Sequence, residues 1–213
     1  MTIKRILIIA GAAVIIFALA WVFFLAKVVF PPAAYDGRMV SFMYPGDQVV
    51  KEYGLRSVLV GNESQETGFM PFVEIVEYRQ DPNAPTPTDY DYFLAAQMFA
   101  LCGTDSPGVT VVCNDTEVEP YETESGAVGE RYYLSLIRTN TESGAKEEMR
   151  YGPIYAFNHT RAATEHNPLE YKALLVYPSL SSYLAGEDAA DVVEYIMDTL
   201  VVKEEQSEVV EEL

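Results

Sequence analysis

Val128 to Thr139 reads VGERYYLSLIRT and Glu148 to Asn158 reads EMRYGPIYAFN. Both are long runs rich in residues that fit a pleated, half-buried surface, and Thr141-Glu142-Ser143-Gly144 between them supplies turn chemistry. They are expected to form the two arms of a hairpin. Pro153 has no N–H to give to a ladder, which predicts an edge or a bulge in the second arm. Outward from this pair, Tyr171 to Tyr177 (YKALLVY) is apolar almost throughout and is expected to be a central strand. Val109 to Cys113 (VTVVC) is a β-branched strand. Pro71 to Tyr78 (PFVEIVEY), Ser57 to Val60 and Met39 to Tyr44 (MVSFMY) complete the strand set, the last ending at the turn Pro45-Gly46-Asp47. Thr88 or Asp89 is placed to cap a helix running to about Leu101, with Tyr92, Phe93, Ala96, Phe99 and Ala100 as its apolar stripe and Gly103 as its stop. Asp188 to Leu200 is a second helix, striped by Ala189, Val192, Val193, Ile196 and Leu200. Three strands, a helix, four strands and a helix predict an α+β fold, an antiparallel β-sheet with helices packed on its faces.

Ile6 to Ala26 (ILIIAGAAVIIFALAWVFFLA) is apolar or glycine at every position. About 20 such residues in a helix span a hydrocarbon core of about 30 Å. The sequence therefore predicts an N-terminal transmembrane helix, with Trp21, Phe23 and Phe24 at its interfacial end. Lys4 and Arg5 keep the N-terminus cytoplasmic, which places the rest outside the cytoplasm. A cleaved signal peptide is the rival, but its apolar core is shorter, and Ala18-Leu19-Ala20 lies inside the run. The expected organisation is a cytoplasmic end over 1–5, the anchor over 6–26, a linker over 27–38, the folded domain over 39–202 and an acidic tail over 203–213. In the linker, Pro31-Pro32 stops the helix and favours an extended strut.

All 32 acidic residues follow Pro31, whereas Lys4, Arg5 and Lys27 of the 14 basic ones precede it. The domain is thus more acidic than the net charge of −18 implies. Such a field repels phosphate, which excludes nucleic acid and anionic head groups as partners.

The layout resembles the PsbP-like family. The likeness rests on Phe42-Met43-Tyr44-Pro45-Gly46-Asp47 after the opening strand, on Gly129-Glu130-Arg131-Tyr132-Tyr133 in the hairpin and Tyr155-Ala156-Phe157 after it. It also rests on the final helix leading into Tyr195-Ile196-Met197-Asp198-Thr199-Leu200-Val201-Val202. It spans about Met39 to Val202, with Gln48 where the family commonly has Trp. The resemblance implies an α/β/α sandwich with a binding or assembly role rather than catalysis.

Cys102 and Cys113 are the only cysteines, and the spacing is neither a redox nor a zinc pattern. Outside the cytoplasm they are expected to form a structural disulfide, the alternative being two buried thiols. His159 and His166, with Glu165, could ligate a metal, but loop histidines are more often solvated. Asp81, Asp89, Asp91 and Asp105 lack the order of a calcium loop and are better explained by capping and solvation. Gly-x-Ser-x-Gly, Ser-x-x-Lys and a Cys–His pair are all missing, and Gly126-Ala127-Val128-Gly129 is followed by a strand, not the helix of a phosphate loop. Among the 15 tyrosines, Tyr132, Tyr133, Tyr151, Tyr155, Tyr171 and Tyr177 lie in strands, either packed with one edge wet or forming a protein-binding face. Asn62, Asn114 and Asn158 open glycosylation patterns. No catalytic, cofactor-binding or metal residue is assigned. The expected function is that of a non-enzymatic, membrane-anchored protein with its domain outside the cytoplasm, binding a protein partner or aiding assembly in the cell envelope. The alternative is a sensor for a cation or small ligand using the acidic surface.

Overall fold

The structure is a computed structural model and describes residues 31–65, 68–81, 83, 85, 87–102, 109–164, 168–186 and 188–203, except the side chains of 102, 109 and 114–116. Among the described residues, ten strands and three helices follow in the order β1 (Ala33–Asp36), β2 (Val40–Tyr44), β3 (Val49–Glu52), β4 (Ser57–Ser64), β5 (Gly68–Arg79), α1 (Tyr90–Cys102), β6 (Val109–Glu122), β7 (Val128–Asn140), β8 (Lys146–Asn158), β9 (Lys172–Pro178), α2 (Leu180–Leu184), α3 (Ala189–Met197) and β10 (Val201–Val202). Seven strands form one sheet in the order β3-β4-β5-β9-β8-β7-β6, and β1-β2-β10 form a second. Every pairing is antiparallel.

This corrects the α+β expectation. Strand makes up 52% of the described residues and helix 17%, so the fold is mostly antiparallel β-sheet. The difference comes from segments that carry no strong period. The strand expected over Val109 to Cys113 runs on through Asn114-Asp115-Thr116-Glu117 to Glu122, because β7 supplies a ladder for it that shifts register once, between Cys113 and Asp115. The expected strut contributes β1, which pairs Ala33 with Tyr44 and Asp36 with Ser41. The expected transmembrane helix is not among the elements described. Its span, 6–26, lies outside the described residues, and among those described no helix is long and apolar enough to cross a membrane. The acidic tail lies outside them from residue 204 onward.

Two apolar cores lie on the two faces of the large sheet. On one face Val58, Ile75, Tyr155, Phe157, Leu174 and Val176 meet Val40 and Phe42 of the small sheet, and Ala189, Val193, Ile196, Met197 and Leu200 at the end of the chain. The stripe expected on the final helix supplies this contact, and Met197 adds to it. On the other face Leu134, Leu136, Tyr151, Ile154, Ala173 and Leu175 meet Phe93, Leu94 and Met98 of α1 and Leu180 of α2. Strand β9 is buried along its whole length because both cores press on it.

The expected hairpin is β7 and β8. Tyr132 pairs with Ile154 and Leu134 with Tyr151, so the ladder shifts at the Gly152-Pro153 step and β8 bulges. Gly152 holds φ at +141°, and a Cβ there would come within 2.9 Å of the Tyr132 carbonyl oxygen, so glycine is required.

Candidate functional site

Helix α1 starts where Asp89 caps it. The Tyr92 N–H donates to Asp89 Oδ1 at 2.8 Å and the Phe93 N–H to the Asp89 carbonyl at 3.2 Å. The helix is apolar nearly all round, and its register on the sheet decides what stays outside. Phe93 stacks on Tyr171, and Leu94 and Met98 fill the core beside it. The expected stripe is therefore rotated. Of its members Phe93 is buried, whereas Tyr92 and Phe99 remain 64% and 62% exposed. A helix without a polar face carries two comparable stripes, and only the shape of the sheet selects between them.

That register opens a groove of about 350 Å³ between α1 and the outer strands, floored by Leu94, Met98, Phe99, Val118, Tyr132 and Leu134. Carboxylates flank it. Asp91 stands on the helix side and Glu130 on β7, where it accepts the Tyr132 hydroxyl proton. Burial raises the pKa of Tyr132, and the hydrogen bond and charge of Glu130 raise it further. Burial likewise raises that of Tyr90, helped by Glu130 and Asp91. Anionic phenolates are thus disfavoured here, first by burial and then by the neighbouring carboxylates. The Tyr90 hydroxyl is buried and has no hydrogen-bond partner among the described residues. Beside the groove, β6 is the last strand of the sheet, so no strand among the described residues pairs with its outer edge. Val118 on that strand is 54% exposed.

A second cavity, of about 470 Å³, lies against the other face of the sheet. The β6–β7 turn, β10 and the ends of β5, β8 and β9 enclose it, with Glu77, Asn158, His159, Thr160, Lys172 and Lys203 among its lining residues. Lys172 shares the face of Leu174 and Val176, and Glu77 pairs in register with Leu174. Lys172 is 2% exposed, and its Nζ lies 3.5 Å from a Glu170 oxygen that also accepts from Arg161 at 2.9 Å. Glu77, also buried, accepts from Arg79 Nε. A charge can persist in such a place only with partners, and both have them. Neither residue stood out in the sequence. The signal was there for Lys172, a lone charge in the apolar run YKALLVY, but not for Glu77.

The residues singled out from the sequence are scattered. Cys113 is disulfide-bonded and lines the groove, while the side chain of Cys102 lies outside the described residues. His159 lines the second cavity and its N–H donates to the Lys172 carbonyl at 3.0 Å; Glu165 and His166 lie outside the described residues. Asp81 Oδ1 accepts from the Asn83 N–H at 2.8 Å, Asp89 caps α1, Asp91 flanks the groove, and Asp105 lies outside the described residues. No group of three or more His, Cys, Asp or Glu side chains among the described residues could hold a metal. Asn62 and Asn158 are exposed, and the side chain of Asn114 lies outside the described residues. Tyr151, Tyr155, Tyr171 and Tyr177 are buried, and three have hydroxyl partners: Tyr151 donates to the Pro178 carbonyl, Tyr155 to Glu194 and Tyr177 to Glu74. They are core residues, not a binding face.

The chain matches no model of a known protein family, and no curated protein matches it.

Proposed function

We propose that this protein is a non-enzymatic binding domain that works outside the cytoplasm and engages a protein partner, in a holding or assembly role. The observation that carries this reading is the groove between α1 and the β6 edge, apolar on its floor, where the exposed ring of Phe99 lies, and acidic on its flanks. Aromatic residues at the centre of an apolar patch with a polar rim are the anatomy of a protein interface. The disulfide-bonded state of Cys113 supports an oxidising compartment, and we propose Cys102 as its partner because the chain has no other cysteine. A binding or assembly role is also what the PsbP-like resemblance implies. The test is affinity purification from the native host. A discrete partner should accompany the wild type, be lost with Phe99→Asp, and persist with Leu55→Asp, a substitution at another exposed apolar residue. Loss with both variants, or with neither, refutes the reading.

A second reading has its own support. A cavity of about 470 Å³ with buried Lys172 and Glu77 against it is of the size that holds a small ligand. A panel of small carboxylates and amino acids would test it. A ligand bound only by the native state raises the melting temperature, and Lys172→Met should abolish that rise.

A further inference from the structure

Strand β6 presents different chemistry on its two faces. Val118 pairs with Tyr132 and lies on the face that carries the groove. Glu117 pairs with Tyr133 and Glu119 with Arg131, which puts both carboxylates on the opposite face. There Arg150 donates to Glu117 at 2.7 Å and Arg131 to Glu119 at 2.5 Å, yet the side chains of Glu117 and Glu119 remain 69% and 52% exposed. The outer edge of the strand is open among the described residues. Pro120, which gives no N–H, closes the usable edge at its far end.

We infer that β6 accepts an added strand from the partner, and that this strand alternates apolar and basic residues. The inference rests on the proposed partner-binding role of the groove and names what fills it. Along an added strand, successive side chains point to opposite faces. One set would lie beside Val118, Phe99 and Leu134 and must be apolar. The other set would lie beside Glu117 and Glu119 and is favoured when it is Lys or Arg, because opposite charges across a strand pair attract. Main-chain hydrogen bonds hold the strand, and the two faces select its sequence, as in other recognition by strand addition. A second copy of this chain is the wrong occupant. Pairing two β6 edges would set Glu117 and Glu119 of one copy against those of the other, and like charges across a ladder repel. The net charge of −18 adds to that repulsion at longer range.

The experiment uses the full chain and a synthetic peptide of about ten residues that alternates Lys and Val, a length typical of a long strand. Hydrogen exchange should slow at the β6 amides around Glu117 to Glu119 when the peptide binds. Binding should weaken with added salt, and Phe99→Asp should reduce it. A peptide alternating Glu and Val should not bind. Proline at two central positions should cost about tenfold in affinity, since each lost ladder bond is worth about 0.5–1.5 kcal/mol and 1.4 kcal/mol is tenfold. Equal binding by the proline peptide, or protection of α1 without β6, overturns strand addition. Self-association of the free chain with protection at β6 overturns it in favour of a second copy. If the peptide fails to bind while a partner still co-purifies in a Phe99-dependent way, this inference falls and the binding role stands. Absence of any Phe99-dependent partner removes that role itself.

Discussion

Tyr155 on β8 donates its hydroxyl proton to Glu194 on α3 at 2.8 Å, tying the middle of the large sheet to the helix that covers it. The ring of Tyr155 is fully buried and packs edge-on against Tyr121 at 4.5 Å between centroids. Tyr155→Phe keeps the ring and removes the bond. Glu194 is exposed, so water replaces the lost donor and the cost is that of an ordinary hydrogen bond, about 0.5–1.5 kcal/mol. Denaturant unfolding should show a fall of that size with an unchanged slope, because the surface exposed on unfolding is the same.

Tyr151, Tyr155 and Tyr177 have pKa values above that of a free tyrosine, in each case chiefly because burial disfavours the phenolate. Coulombic repulsion by Glu74 adds to this for Tyr151 and Tyr177, and the Glu194 bond adds to it for Tyr155. The unfolded chain releases these protons near pH 10, while the native state keeps them. Above that pH the native state binds more protons, so stability falls as pH rises. Each such tyrosine steepens the decline by about 1.4 kcal/mol per pH unit. Stability measured at pH 8 and above pH 10 should show the drop, and Tyr177→Phe should make it shallower. A flat profile across that range would contradict the burial of these phenols.

The two flanks of α1 should respond differently to truncation. Leu94 is buried against the sheet, and Leu94→Ala should cost about 2–5 kcal/mol. Phe99 faces the groove and solvent, and Phe99→Ala should change stability by no more than about 0.5 kcal/mol. Thermal or urea unfolding of the two variants checks the register of the helix. A reversed order would restore the stripe expected from the sequence.

Reduction, or Cys113→Ser, should lower stability. In the chain-entropy model a loop as short as that between Cys102 and Cys113 contributes about 2–3 kcal/mol. Non-reducing peptide mapping should recover the two cysteines in one cross-linked fragment. Recovery of both as free thiols would refute the pairing and weaken the case for a compartment outside the cytoplasm.

What could be read from the sequence depended on period and on local chemistry. The hairpin of β7 and β8, the Asp89 cap and the inner stripe of α3 carry their signal within a few residues, and the structure has all three. Strands β1, β3 and β10 are only two to four residues long and exist through their neighbours. The stretch from Asn114 to Glu122 is acidic, contains Pro120 and lacks a clear alternation, so only the β7 ladder marks it as a strand. The groove could not be read at all. It arises because α1 and β6 lie side by side, and α1, apolar on several flanks, gives no hint of which residues remain outside. The layered class was misjudged for the same reason, since the additional strands are a product of tertiary pairing.

Strand β10 adds Val201 and Val202 to β2 opposite Ser41 and Val40, joining the two ends of the described chain. On the ribosome, β2 emerges long before its neighbour. The core that Phe42 shares with Val193, Ile196 and Leu200 is complete only when these later residues leave the exit tunnel. During that interval the nascent chain exposes an aggregation-prone edge, so translation speed and chaperone supply should limit its yield more than the stability of the finished fold.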